Sequence, residues 1–262
     1  MERGVHGEDR EGGVRALVLC NPSKRNALDP GLLGQLIDAL SRPRADGQRV
    51  RALLLRGAAE GAAFCSGYDL AALGPAPEDG PLPDDLLQRA FLALESVDAP
   101  SVALVDGAAF GAGCELACAC DFRVGTDRAV FSMPPARLGV VYAPEGLQRV
   151  MALVGPSRAK RMFLAGERLA AKEALEAGLL DEWHPDAGAE ARAEALCAEL
   201  AAGAPLAIAG MKRAFRALAA PALSAEERAE LHTLRRAAFR SDDAREGRAA
   251  FLEKRPPRFR GT

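Results

Sequence analysis

The chain has 262 residues, room for one large domain, or a domain with a helical appendage, and a sizeable core. Its 34 basic and 36 acidic side chains leave a formal net charge of −2. No global field therefore gathers nucleic acid or anionic membrane, and an anionic ligand needs a local site. No run of about eighteen apolar residues argues for a transmembrane helix. Residues 1–13 are charged and glycine-rich, without the apolar stretch of a signal peptide, and are expected to form a short flexible lead-in to a cytoplasmic protein.

The first half alternates strand and helix signals. Val14–Cys20 reads as a strand, and residues 30–40 as a helix with Asp29 as N-cap and Pro30 in its first position. Residues 50–56 read as a second strand, leading into a glycine-punctuated loop at 57–67. A proline-rich loop at 75–83 precedes an amphipathic helix at 84–97. Ser101–Val105 is a strand entering DGAAFGAG at 106–113, then a small-residue helix to about Cys120. Short strands are expected at 121–124, 129–131 and 179–183. Helical patterns follow at 187–202, 205–219, 224–240 and 242–253. The layout is an α/β body followed by helices whose apolar faces need a partner, either the body or another subunit.

The six cysteines, at 20, 65, 114, 118, 120 and 197, have no zinc-knuckle spacing. They read as reduced, structural residues, and no metal is expected. The third glycine of a dinucleotide fingerprint begun at Gly111 would fall on Leu116. G-x-S-x-G, H-E-x-x-H and P-loop patterns are absent. His6, His184 and His232 are expected on the solvated surface.

Two turns carry chemistry: AFCSGYDL at 63–70 and FGAGCE at 110–115. Each follows a strand signal and opens a helix, so each offers free backbone N–H groups. Alone, either reads first as a tight turn in which glycine permits positive φ. Brought together, they form an oxyanion hole: two fixed donors stabilise charge building on a carbonyl oxygen, each worth about 3 kcal/mol.

Those two turns, with NPSKRNAL at 21–28, residues 131–139, GPSRAK at 155–160, and residues 174–180 and 246–261, resemble the enoyl-CoA hydratase/isomerase, or crotonase, family. The resemblance runs through nearly the whole chain in the family's order. It implies an α/β fold, a spiral of ββα units at 1–195, with a C-terminal helical region at 196–262 that builds a homotrimer or hexamer. It implies an acyl-CoA substrate whose coenzyme is part of that substrate, with no further cofactor. The oxyanion donors it implies are the backbone N–H groups of Tyr68 and Ala112. Lys24 and Arg25 match the basic segment beside the coenzyme's phosphates, with Ala27 near its pantetheine or adenine; Lys254 and Arg255 are weaker candidates for the same task.

The pattern breaks at one position. The family's hydratases hold water between two glutamates; the first matches Glu115, and the second falls on Pro135, which cannot titrate. Downstream, Tyr142 lies in a stretch from which relatives project an acid or phenol into the acyl pocket. Glu145 is either a further acid or a first-turn glutamate stabilised by the helix dipole. The run FSMPPARLGVVY at 131–142 is similar to the methylmalonyl-CoA decarboxylases of the family, which carry histidine where this chain has Tyr68. Three functions stay open: an enoyl-CoA hydratase or isomerase, an acyl-CoA decarboxylase of the methylmalonyl type, and an acyl-CoA-binding member that has lost catalysis.

Overall fold

The structure is a computed structural model that describes residues 1–74, 80–219 and 224–260; five residues of the loop expected at 75–83 lie outside the described residues. Strands β1 (Gly4–Asp9), β2 (Val14–Cys20) and β3 (Ala52–Gly57) begin the larger sheet. β5 (Ser101–Val105), β7 (Phe122–Gly125) and β10 (Glu182–Trp183) complete it. The order is β1-β2-β3-β5-β7-β10, with β1 antiparallel to β2 and every other pair parallel. A smaller sheet is ordered β4 (Ala63–Cys65), β6 (Ala108–Phe110), β8 (Val130–Ser132) and β9 (Arg168–Ala170).

The connectivity is the expected spiral. Each long strand is followed by a short strand of the second sheet and then a helix: β3, β4, α2 (Asp85–Ser96); β5, β6, α3 (Ala112–Cys118); β7, β8, α4 (Pro144–Ala165). Because β4 pairs with β6 in parallel, the turns that follow them must lie side by side.

The inner strands β2, β3, β5 and β7 are largely apolar on both faces, as helices on either side require. Leu17, Leu19, Leu53, Leu55, Ala103 and Val105 face a core shared with α1 (Pro30–Ser41), α2 and α3. The alternate residues Val14, Ala16, Ala52, Leu54, Val102 and Leu104 meet Ala189, Ala193 and Cys197 of α6 (Asp186–Ala202). The Asp29 cap of α1 is in place, its carboxylate accepting the Leu32 N–H at 3.0 Å. α5 (Ala171–Glu176) follows β9. The expected strand at 179–183 shrinks to β10, because the amides of Leu179 and Leu180 both return to the Ala174 carbonyl, at 2.8 and 3.1 Å.

The lead-in expected to be flexible is instead β1. Gly12 and Gly13, with φ of 69° and 83°, turn the chain back onto β2, and Arg15 of β2 donates to Asp9 of β1 at 2.7 Å. A polar edge strand with one face in water looks like a linker when only its composition is read.

The last helices are α7 (Pro205–Ala219), α8 (Ala225–Arg240) and α9 (Asp242–Leu252). Buried Lys212 pins α7 to the body, donating to the Ala99 carbonyl at 2.9 Å and to Asp121 at 2.6 Å. α9 packs directly on the backbone at Leu138, where a Cβ on Gly247 would come within 2.4 Å of the carbonyl oxygen. Leu206, Phe215, Leu218 and Phe251 are largely exposed. Among the described residues no single helix is long and apolar enough to cross a membrane.

Candidate active site

The two glycine-bearing turns meet. A Cβ on Gly67, whose φ is 108°, would lie 2.8 Å from the Phe110 carbonyl oxygen and 3.8 Å from the Ala112 nitrogen. One on Gly113 would lie 2.1 Å from the Cys65 carbonyl oxygen. Only glycine allows these backbones to touch. The amide of Leu28 donates to the Gly67 carbonyl at 2.8 Å and that of Asp69 to the Leu28 carbonyl at 2.7 Å. This parallel bridge engages the residues either side of Tyr68, so the Tyr68 N–H points away from Leu28. Ala112 opens α3, where a helix has no internal acceptor for its first amides. Among the described residues neither amide donates to a carbonyl, which leaves both available to a ligand.

The basic segment is stitched to the first turn. Ser66 donates its amide to the Arg25 carbonyl at 3.1 Å and its hydroxyl to the Lys24 carbonyl at 2.9 Å. Buried Asn26 is the clasp: its amide group donates to the carbonyls of Ala58 and Ala63 at 2.9 and 2.7 Å, and its oxygen accepts the Asn21 N–H at 3.0 Å. Lys24 and Arg25 are exposed at the rim, while Ala27 is buried. Lys24 already pairs with Asp69 at 2.5 Å. Arg255 is held by Glu246 at 2.6 Å and by Glu253 at 2.6 Å.

Glu115 is fully buried on α3. One carboxylate oxygen accepts from the Gln88 amide of α2 at 2.9 Å and from Arg149 of α4 at 2.6 Å. The other has no hydrogen-bond partner. Arg149 turns its remaining edge to Glu95, at 2.6 and 3.1 Å, and donates to the Gln88 oxygen at 2.9 Å. Burial pushes the Glu115 carboxyl above its ordinary range, with the Arg149 charge and the Gln88 and Tyr142 groups opposing it. The result is a carboxyl group able to exchange a proton nearer neutrality.

Tyr142 lies beside Glu115, its ring edge-on to Phe163 with centroids 5.4 Å apart. Burial and then the Glu115 charge push its phenol well above the ordinary value, so it remains a protonated donor. Gly146 is wedged against both: a Cβ there would lie 2.7 Å from a Glu115 oxygen and 2.8 Å from the Tyr142 ring. The Tyr68 hydroxyl donates to the Pro83 carbonyl at 3.3 Å, beside Asp84. Glu145, in the first turn of α4, lines a cavity together with Gln88. Pro135, where a second glutamate would stand, is buried in a short 3-10 turn.

Sequence reasoning missed Gln88, Glu95 and Arg149. The available signal was the i, i+7 spacing that puts Gln88 and Glu95 on one side of amphipathic α2. The six cysteines are free and buried; burial pushes the Cys65 and Cys120 thiols up to about 12. Among the described residues no group of three or more His, Cys, Asp or Glu is placed to hold a metal ion.

A buried carboxyl thus sits on the short helix that one of the two abutting turns opens. The enoyl-CoA hydratase/isomerase family model matches residues 9–262, and the chain belongs to that family. It is 35% identical to the 2,3-dehydroadipyl-CoA hydratase of Escherichia coli K12 over 255 residues, covering 96% of this chain and 97% of the other. It is 34% identical to the carnitinyl-CoA dehydratase of the same organism over 259 residues, covering 96% and 97%. Among solved structures, methylmalonyl-CoA decarboxylase in complex with 2-nitronate-propionyl-CoA superposes with a TM-score of 0.90 at 28% identity, covering 98% of both chains. An enoyl-CoA hydratase/isomerase from Pseudoalteromonas atlantica gives 0.82 at 28% identity, covering 98% of this chain and 99% of the other.

Proposed function

We infer that this chain binds an acyl-CoA thioester, holds its carbonyl oxygen between the amides of Tyr68 and Ala112, and moves a proton at the neighbouring carbon with Glu115. The observation that carries this is the asymmetry of Glu115: one oxygen clamped by Gln88 and Arg149, the other buried with no hydrogen-bond partner. A clamped carboxylate with one free oxygen is a positioned base. The two amides meet the charge that deprotonation sends to the carbonyl oxygen. Lys24 and Arg25 would pair with the coenzyme's phosphates, Lys24 by exchanging Asp69 for a phosphate, and Ala27 would lie under the coenzyme. The exposed apolar residues of α7 and α9 support assembly as a trimer or hexamer, in the cytoplasm.

With Pro135 in place of the second glutamate, a one-base isomerisation fits the site better than two-carboxylate hydration unless Glu145 or Tyr142 compensates. Decarboxylation is the second reading. It is favoured by the protonated Tyr142 beside Glu115 and by the similarity to methylmalonyl-CoA decarboxylase. Carbon dioxide would leave on its own once the two amides accept the enolate, and Tyr142 would hold the carboxylate or assist protonation.

A panel of crotonyl-, 3-enoyl- and methylmalonyl-CoA assayed with wild type, Glu115→Gln and Tyr142→Phe tests both readings. Glu115→Gln is expected to lower hydration and isomerisation by about 10² to 10⁴, and Tyr142→Phe to impair decarboxylation selectively. Rapid wild-type hydration unaffected by Glu115→Gln would remove Glu115 from the mechanism. Binding of acetyl-CoA with no turnover of any panel member would identify the chain as a binding protein.

A further inference from the structure

Arg149 serves two carboxylates on different helices. Its Nε and Nη2 donate to the two oxygens of Glu95 on α2, at 2.6 and 3.1 Å, and its Nη1 donates to one oxygen of Glu115 on α3 at 2.6 Å. The same Nη1 also donates to the Gln88 oxygen at 2.9 Å. Glu95 therefore holds the arginine by the two-pronged contact that such pairs favour, and Glu115 by a single one. The side chain of Glu95 is 23% exposed, that of Arg149 8% and that of Glu115 not at all.

Charge gives this sharing a consequence. With all three groups ionised the trio carries one excess negative charge in a largely buried place; with a proton on Glu115 it is neutral. Were Arg149 paired with Glu115 alone, the neutral arrangement would be the ionised pair, and the carboxyl would take up a proton only under acid conditions. Glu95 removes that bias, because it occupies two of the arginine's contacts and sets a like charge across the guanidinium from Glu115. Both protonation states of Glu115 are then open, as a group that must take and return a proton requires. The titratable groups on the elements around Glu115 are otherwise Cys114 and Cys118 on α3, Cys65 on β4, Tyr142, and Glu145 at the start of α4. Burial keeps the Cys65 and Tyr142 protons in place, and Glu95 is the carboxylate tied to Glu115 through a shared partner.

We propose that Glu95 is a positioning residue which, by sharing Arg149, keeps Glu115 basic enough to take a proton from the substrate. This rests on the acyl-CoA reading above for the proton that moves, and adds how its base is regulated.

The test turns on a sign. If Glu95 only held Arg149 in place, Glu95→Gln would loosen the arginine and make Glu115 harder to ionise. Charge sharing gives the opposite: Arg149 stays over the Phe91 ring, 5.8 Å from its centroid, and Glu115 becomes easier to ionise. Carbon-13 NMR of protein labelled at the glutamate carboxyls follows this without turnover, the Glu115 signal being the one lost in Glu115→Gln. Glu95→Gln is expected to lower the Glu115 titration midpoint by about one pH unit, the effect of losing a nearby like charge. Glu95→Asp, which keeps the charge, is expected to hold the wild-type midpoint, and Arg149→Met to raise it. The acid limb of the isomerisation rate should move down in Glu95→Gln together with the midpoint. A midpoint that rises or stays put in Glu95→Gln overturns the proposal and leaves the acyl-CoA reading standing. So does a wild-type midpoint at or below the ordinary carboxylate range, which decides the matter even where the variant does not fold. Turnover of no thioester in the panel by wild type overturns the acyl-CoA reading, and the proposal with it, whatever the titration shows.

Discussion

Replacing Arg149 with methionine isolates what holds Glu115 ionised. The guanidinium is 8% exposed and Glu115 is fully enclosed, so its removal strands a carboxylate in the core. Breaking a buried pair from one side costs about 3 to 5 kcal/mol. Removing the other side costs far less: in Glu115→Gln the amide oxygen still accepts from Gln88 and Arg149, and Arg149 keeps both contacts to Glu95. That change is expected within about 1 kcal/mol of wild type. The double variant leaves no stranded charge at Glu115, so it should recover about 2 kcal/mol or more of the Arg149→Met loss, a coupling typical of residues sharing one network. Urea unfolding midpoints at constant slope measure all four proteins. The pH dependence has a defined sign. The folded carboxyl of Glu115 is raised above its ordinary value, so ionising it works against folding as pH rises through that range. Loss of Arg149 raises it further, and the gap between Arg149→Met and wild type should widen from acid toward neutral pH. Additive effects within about 0.5 kcal/mol, or a gap independent of pH, would refute the clamp.

Two further outcomes follow from the turns around the site. Asn26→Ala deletes three buried hydrogen bonds and should cost about 2 to 4 kcal/mol, visible as a lower melting temperature with weakened CoA binding. A stable variant with unchanged affinity would show that the clasp does not position Lys24 and Arg25. Gly67→Ala meets both a φ of 108° and a 2.8 Å approach to the Phe110 carbonyl; it should separate the two turns and lower kcat by about 10² or more. Full activity in a folded Gly67→Ala enzyme would mean that the Tyr68 amide takes no part.

How far the sequence carried depended on how local each feature is. Val14–Cys20 and Ser101–Val105 are buried, largely apolar runs bounded by turn signals, and both strands have those limits. The α7 helix, Pro205–Ala219, was equally legible from its proline start and periodic apolar residues. β4, β6 and β9 escaped notice because three residues beside glycine-rich or helical segments carry no periodicity of their own, and their pairing is set by the spiral rather than by their composition. The same holds for the site. Glu115, Tyr142 and the two glycine turns lie in compact motifs. The clamp joins residues 27, 34 and 54 positions apart, and only the packed structure reveals it. The N-terminal strand was misread because an edge strand has one face in water and so resembles a linker.

All seven residues of α3 are buried, and one of them is Glu115. Such a helix has no independent way to fray, so its amides should exchange with solvent deuterium only through opening of the whole core. The exposed turn carrying Lys24 and Arg25 belongs to the opposite kinetic class. Exchange at the Glu115 carboxyl's helix is thus tied to global unfolding, while the exposed side chains of Lys24 and Arg25 adjust on much shorter times.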